Sequence, residues 1–267
     1  MTREAIYRQA AIVCSALSVI TMCLQASCTL MAEGETPAAR PMSGQLAEAK
    51  AAAAKLFSER SDVAKLREAV RTLSDIRDPE SRDFETEWLY SKYSFFLGKA
   101  VPEKEKEAIW ERGKAAGQIA ARLEPNRPEG HFWYGANLGE LAKLSPVTIG
   151  IKSVDDIRSA MNRVIEIDPA YQSASAFDAL AQVELATRMF GDGSAEKAVE
   201  YLEKGIELGP ENAYLRSTLA EAYLSLRRTA HARKQIDTLL KMQPNPDYAA
   251  EHEEAVEKGK KLLNRIN

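Results

Sequence analysis

The sequence predicts an all-α fold, built as an array of antiparallel helix hairpins. Three observations carry this. Beyond about residue 45, Ala, Leu, Glu, Lys and Arg dominate, and runs of Val, Ile and Thr alternating with polar residues are almost absent. Apolar side chains return every three or four positions in one segment after another. Proline and glycine punctuate those segments at short intervals, so the helices have short connections and consecutive ones pair antiparallel.

The elements follow in order. "QLAEAKAAAAKLFSER" opens after Gly44. Asp62 can cap "VAKLREAVRTLSDI", whose apolar positions are Val63, Leu66, Val70 and Leu73. "DPESRDFETEWLYSKYSFFLGK" opens at Asp78-Pro79, since proline fits a first turn, and Gly98 ends it. The next helix runs from Pro102 to Pro125, and another from Pro128 to just before Pro146. "PVTIGIK" is a break, read as a short extended loop. Ser153 and Asp156 then resemble a capping box for "VDDIRSAMNRVIEI". "AYQSASAFDALAQVELATRMF", the loop "GDGS", and "AEKAVEYLEKGIELG" follow. The chain continues with "PENAYLRSTLAEAYLSLRR", "TAHARKQIDTLLKMQ" and a charged helix from Tyr248 to Arg265. The total is about eleven helices.

Four junctions repeat one theme: "ARLEPNRPEG", "IEIDPAYQ", "IELGPENA" and "LKMQPNPD". In each, a helix ends, a proline follows its last turn and a new helix begins. Pro210 and Pro244 stand 34 positions apart, the length of a tetratricopeptide repeat. In that register Leu219, Ala220 and Tyr223 belong to the buried face of a first helix. Ala232, Ile236 and Leu239 belong to that of the second, and Ala198, Leu202 and Gly205 fill the same second-helix slots upstream. Earlier spacings are longer, the excess absorbed by "GDGS" and "PVTIGIK". The expected architecture is an α-solenoid, a stack of amphipathic helix pairs that each bury one face on the next.

The N-terminus has a different composition. Arg3 and Arg8 precede the uncharged stretch Ala10 to Leu24, short for a membrane span of roughly 20 residues and suited to the core of a signal peptide. It leads into "LQASC", where Ala26, Ser27 and Cys28 resemble the end of a bacterial lipoprotein signal, with Gln25 where leucine is usual. The leading division is therefore a signal peptide over 1–28, a Pro- and Gly-rich linker over 29–44, and a helical domain over 45–267, with Cys28 lipidated. An ordinary secretory signal cut nearby and an uncleaved anchor helix are the alternatives. The three cysteines, Cys14, Cys23 and Cys28, all lie in the leader, which leaves the body without a disulfide, thiol nucleophile or cysteine metal site. Thr29 follows Cys28 where Asp would favour inner-membrane retention, which points to the outer membrane.

The body shows no catalytic constellation. A formal charge of −3 with interspersed signs gives no electrostatic footprint for nucleic acid. His131, His231 and His252 are far apart, and the "EHEE" around His252 reads as a solvated face. Neither a phosphate loop nor a nucleophile elbow occurs, so no enzyme, metal or cofactor is expected. The most unusual stretch crowds His131, Phe132, Trp133, Tyr134 and Asn137 into two turns, with Gly135 and Gly139 allowing close helix approach. Either its aromatics are core, or part of this face lines a cavity for an organic molecule with "TIGIK" folding over it and Gly150 as hinge. "EWLYSKYSFF" is a second aromatic band, expected to pack mainly into core.

"EGHFWYGANLGELA", "GIKSVDDIRSAMNRVIEIDPAY" and "GDGSAEKAVEYLEKGIELGPEN" together resemble the T component of TRAP transporters, the TatT family. The resemblance spans about Gln45 to the C-terminus. It implies a periplasmic lipoprotein anchored through Cys28 and associated with a TRAP-type solute-binding protein. It also implies a homotrimer with a channel for a hydrophobic or organic-acid ligand. Carried over, it assigns cavity or partner-facing positions to His131, Trp133, Tyr134, Asn137 and Lys152. The rival reading is a generic tetratricopeptide interaction scaffold in the bacterial envelope. The ligand reading expects an enclosed apolar channel near Trp133 and Tyr134, whereas the scaffold expects those rings packed and a groove of polar residues.

Overall fold

The computed structural model describes residues 43–146 and 150–266. The lipidation site at Cys28, the signal over 1–28 and nearly all of the linker therefore lie outside the described residues, as do Thr148 and Ile149 of the "TIGIK" segment expected to fold over a cavity, whereas Ile151 and Lys152 belong to a helix. Eleven α-helices occur among the described residues. They are α1 (Ser43–Ser58), α2 (Val63–Asp75), α3 (Phe84–Ala100), α4 (Glu103–Leu123), α5 (Pro128–Leu144) and α6 (Ile151–Ile167). After these come α7 (Tyr171–Thr187), α8 (Ala195–Leu208), α9 (Ala213–Ser225), α10 (Thr229–Leu239) and α11 (Ala249–Asn264). All belong to one compact unit, Arg40–Asn267. The all-α hairpin array is the observed architecture.

Local chemistry sets most helix starts. Asp62 accepts from the Ala64 N–H, Asp83 from Thr86, Ser194 from Lys197 and Asn212 from Tyr214, each satisfying a first-turn donor. Pro102 precedes α4, and Pro128 opens α5. Two starts differ from the sequence reading. α3 opens at Asp83, not at Asp78-Pro79, because Asp78 spends its carboxylate on the Glu80 N–H and makes a turn. α6 begins at Ile151, so Ser153 lies inside the helix and buried, with no capping role.

Successive odd helices pack on one another: α3 on α5, α5 on α7, α7 on α9 and α9 on α11, with α1 joining through Phe57 stacked on Tyr93 at 4.0 Å. The even helices pack mainly on their odd neighbours. A curved array keeps its mutually packed row inside, so the odd helices form the inner row. In the C-terminal repeats, Ala198, Leu202, Leu219, Ala220, Ala232, Ile236 and Leu239 are buried in the register given by the 34-residue spacing.

The α4–α5 crossing is closer than any alanine would allow. A Cβ on Gly117 would lie 2.6 Å from the Tyr134 backbone nitrogen, and one on Gly113 would lie 2.8 Å from Asn137 Cγ and Ser94 Cβ. Gly135 meets Met161 of α6, whereas Gly139 faces open space and makes no crossing.

Two buried carboxylates pin the irregular parts. Glu87, 1% exposed, takes Arg77 in a fork at 2.6 and 3.1 Å and Arg82 at 2.8 Å, fixing the α2–α3 connection. Glu184 accepts from Lys197 at 3.1 Å, from the Ser194 N–H at 3.1 Å and from Arg158 at 3.4 Å, and Arg158 also holds Asp192 at 2.8 Å. The "GDGS" loop is thereby tied down. At the start of α7, Gln172, Ser173 and Ala174 are left-handed, with φ of 51°, 51° and 60°. Asn212 holds this strained turn by donating to Ser173 O at 2.9 Å and Ser175 Oγ at 3.0 Å.

Candidate functional site

α5 presents different residues on different sides, and the aromatic face read from the sequence divides accordingly. Trp133 and Asn137, four apart, point inward. Trp133 is 2% exposed and sits among Phe132, Phe95 and Phe96, with centroids 4.9, 5.6 and 5.8 Å away. Asn137 is fully buried, and its amide donates to Trp133 O at 2.8 Å, Ser91 O at 3.1 Å and Ser91 Oγ at 3.2 Å. It staples α5 to α3. His131 lies in the first turn of α5, with Nε2 3.1 Å from Pro125 O. These three residues are occupied with packing and backbone contacts.

Tyr134 and Lys152 are brought together instead. With Leu138 they line an open cleft of about 520 Å³ between α4 and α6, completed by Glu111, Lys114 and Gln118 of α4 and Ser153 and Asp156 of α6. Burial pushes the Tyr134 hydroxyl above its ordinary pKa, and the Asp156 carboxylate adds to this. Lys114 is paired with Glu111 at 2.6 Å. The cleft is about evenly polar and apolar and of mixed charge, with Tyr134 and Leu138 prominent in its apolar part.

The inner row carries a second, more charged arrangement. Phe57, Phe95, Phe96, Trp133 and Tyr214 form an aromatic surface beneath three cations. Arg60 stands over Phe57 and Phe96 at 5.1 and 5.2 Å, Lys92 over Phe57 and Trp133 at 5.1 and 5.7 Å, and Lys99 over Phe95 and Tyr214 at 6.0 and 5.5 Å. The array curves far enough for α11 to return to them. Glu251 approaches Arg60 at 3.6 Å, and Glu254 meets Lys99 at 2.5 Å while accepting from the Tyr214 hydroxyl at 2.6 Å. Burial pushes the Glu254 carboxyl up, but the hydrogen bonds from Lys99 and Tyr214 outweigh it and leave the group below its ordinary value. Burial and the neighbouring Arg60 guanidinium hold the Lys92 ammonium below its ordinary value, against the pull of Glu251.

Glu253 and Glu254 of "EHEE" are exposed, as a solvated face requires, but Glu251 is largely covered, and Glu251 and Glu254 also reach the opposite end of the array. The available signals are an acid pair at i, i+3 in α11 and a lysine pair at i, i+7 within the aromatic band of α3. Among the described residues, no group of three or more His, Cys, Asp or Glu is placed to hold a metal ion, and no helix is long and apolar enough to cross a membrane.

Comparison with known proteins adds to this geometry. Residues 189–250 match the tetratricopeptide repeat family profile. A thermophilic tetratricopeptide protein in Thermus thermophilus superposes with a TM-score of 0.57 at 16% identity, covering 79% of this chain and 98% of that one. The fold of this chain is a tetratricopeptide-type helical array. Residues 47–177 match a second family profile, described as regulator of microtubule dynamics protein 1-3. A double mutant of MamA RS-1 aligns with a TM-score of 0.47 and 17% identity, over 82% of this chain and 98% of that one. None of the curated proteins matches the chain.

Proposed function

We propose that this protein is an interaction scaffold of the bacterial envelope, with the inner row of its helical array as the working surface. The observation that carries this is the concentration of Arg60, Lys92 and Lys99 over an aromatic band, on a tetratricopeptide-type array. Met189 and Phe190, 86% and 73% exposed on a turn beside the loop tied by Glu184, offer a further apolar contact. The N-terminal profile match concerns regulators of a protein polymer, which also favours a protein partner.

The finer reading is an accessory lipoprotein of a TRAP-type transport system, anchored through Cys28 to the outer membrane, facing the periplasm and docking a solute-binding protein as a homotrimer. The sequence resemblance and the leader composition support it. An organic acid would then suit the α4–α6 cleft, where Lys152 supplies a cation and Tyr134 and Leu138 an apolar floor. The buried Trp133 and Asn137 serve the fold in this reading, not the ligand.

Native mass spectrometry of residues 29–267, alone and with a TRAP solute-binding protein from the same cell, tests both. Uptake of that partner by a trimer, with a small organic mass attached, supports the transport role. A chain that ignores it but is cross-linked in cells to another envelope protein leaves the general scaffold. A chain that forms no protein contact in either setting sinks the scaffold reading.

A further inference from the structure

Lys92 is a half-buried cation in an unusual setting. It lies over Phe57 and Trp133, and no carboxylate stands within ion-pair distance of it among the described residues. Glu251 comes near enough to act on it electrostatically, but spends one oxygen on Arg60 at 3.6 Å. The other oxygen, Oε2, is buried with no hydrogen-bond partner. A buried carboxylate oxygen without a donor is costly, so Glu251 sits in an anion site that it fills imperfectly. Glu254 occupies the adjoining position at Lys99 and Tyr214.

α11 is attached elsewhere by different residues. Ala255 packs with Ala213 and Leu239, Leu262 joins the α7–α10 core, and Gly259 lets Leu239 approach. The acidic stripe therefore meets α1–α3 while the neighbouring stripe caps α9 and α10. The joint to α1–α3 consists of two ion pairs, Arg60 with Glu251 and Lys99 with Glu254, while the Tyr214 hydroxyl ties Glu254 to α9; Ala255 and Leu262 take no part in it.

We propose that the basic and aromatic inner face formed by Arg60, Lys92 and Lys99 docks an acidic peptide segment of a partner protein, and that α11 closes this face in the free chain by presenting Glu251 and Glu254 in the segment's place. This rests on the scaffold reading and names its partner by chemistry. Charge complementarity selects the occupant: three cations on aromatic faces, already holding carboxylates spaced i, i+3, suit a helical or extended segment with two or three acids. Because the chain's own acids compete, partner affinity is reduced by the fraction of molecules in which the joint is closed.

The test uses the full-length protein and a fluorescein-labelled peptide of residues 248–258, YAAEHEEAVEK, read by fluorescence anisotropy. E251Q/E254Q is expected to bind the peptide about tenfold more tightly than the natural chain, since the internal competitor is weakened. Adding K92Q/K99Q to that variant should return binding to background, and the peptide with its glutamates replaced by glutamine should not bind. Equal binding by the natural chain and E251Q/E254Q overturns the proposal, as does binding indifferent to K92Q/K99Q. A thymidine oligonucleotide of equal charge that competes as well as the peptide also overturns it, in favour of generic anion binding. Circular dichroism confirms the fold of each variant, and E254Q alone carries the same comparison if the double variant unfolds. Failure here leaves the mass-spectrometric and cross-linking test of the scaffold untouched, so the two readings fail separately.

Discussion

The two ends of the array reach the same architecture by different means. From α8 to α10 the packing is periodic: Leu and Ala recur at fixed positions, the repeat is 34 residues, and the helices meet through interlocking apolar side chains such as Leu202, Leu219 and Ile236. From α3 to α5 the contact is closer and less regular. Gly113 and Gly117 bring backbones together, Asn137 bridges α5 to α3, and Glu87 ties two arginines beneath the turn that enters α3. A regular repeat spreads its stability over many equivalent contacts, whereas the N-terminal end concentrates it in a few residues without substitutes.

The sharpest way to break that contrast is at the core residue of each end. Leu202→Ala should cost about 3 kcal/mol by leaving a cavity in the C-terminal core. Glu87→Ala should cost a similar amount, about 3 kcal/mol, by stranding Arg77 and Arg82. Urea unfolding measures both. A loss below about 1 kcal/mol for Glu87→Ala would show that its arginines swing into water at little cost.

Matched glycine substitutions sharpen the comparison. Both Gly117→Ala and Gly205→Ala gain about 1 kcal/mol in helix propensity. At Gly117 the new methyl meets the Tyr134 backbone, which cannot move aside, so a net loss of about 2 kcal/mol is expected. At Gly205 it meets the end of the Leu215 side chain at 2.7 Å and Phe177 Cβ at 3.0 Å, and rearrangement of Leu215 should hold the net change to about 1 kcal/mol or less. Equal melting temperatures for the two variants would remove the distinction drawn between the ends.

Asn212→Ala removes both the α9 cap and the clamp on the left-handed turn of α7, with an expected loss of about 2 kcal/mol in urea unfolding. Asp62→Ala removes the α2 cap, with no clamp to lose, and should cost about 1 kcal/mol. The difference between the two isolates the value of the clamp.

The smallest expected effect is pH-dependent closure of the joint between the ends. Glu254 is held below its ordinary value of 4.5 with Lys99 and Tyr214 bonded to it and Lys143 nearby. Its folded pKa is lower than its unfolded one, so its contribution is complete above that ordinary value and is lost as pH falls through the depressed folded value. Hydrogen-exchange protection in the first turns of α11, taken relative to the intrinsic rate at each pH, should fall on acidification through that window, and E254Q should remove the dependence.

Legibility in the sequence follows the same divide. In α8–α10 the repeat spacing, the small residues and the buried positions all agree, because periodic packing writes itself into periodic sequence. The start of α3 is not legible: Asp78-Pro79 and Asp83 are both acceptable openings locally, and the contacts of Arg77 and Arg82 with Glu87 favour the second. At α5, a crowded aromatic stretch cannot reveal that Trp133 and Tyr134 face different neighbours, since that depends on where α3, α4 and α6 lie.

The sequence by itself determined the all-α class, the number of helices and the tetratricopeptide register of the C-terminal repeats. Each of these follows from local propensity and hydrophobic period, which act over a few turns of chain. Tertiary structure alone decided that Asn137 is a staple, that Tyr134 and Lys152 share a cleft, and that Glu251 and Glu254 reach Arg60 and Lys99. Those contacts join residues up to nearly the whole body apart, and they depend on the summed curvature of the helix pairs, a quantity no single segment encodes.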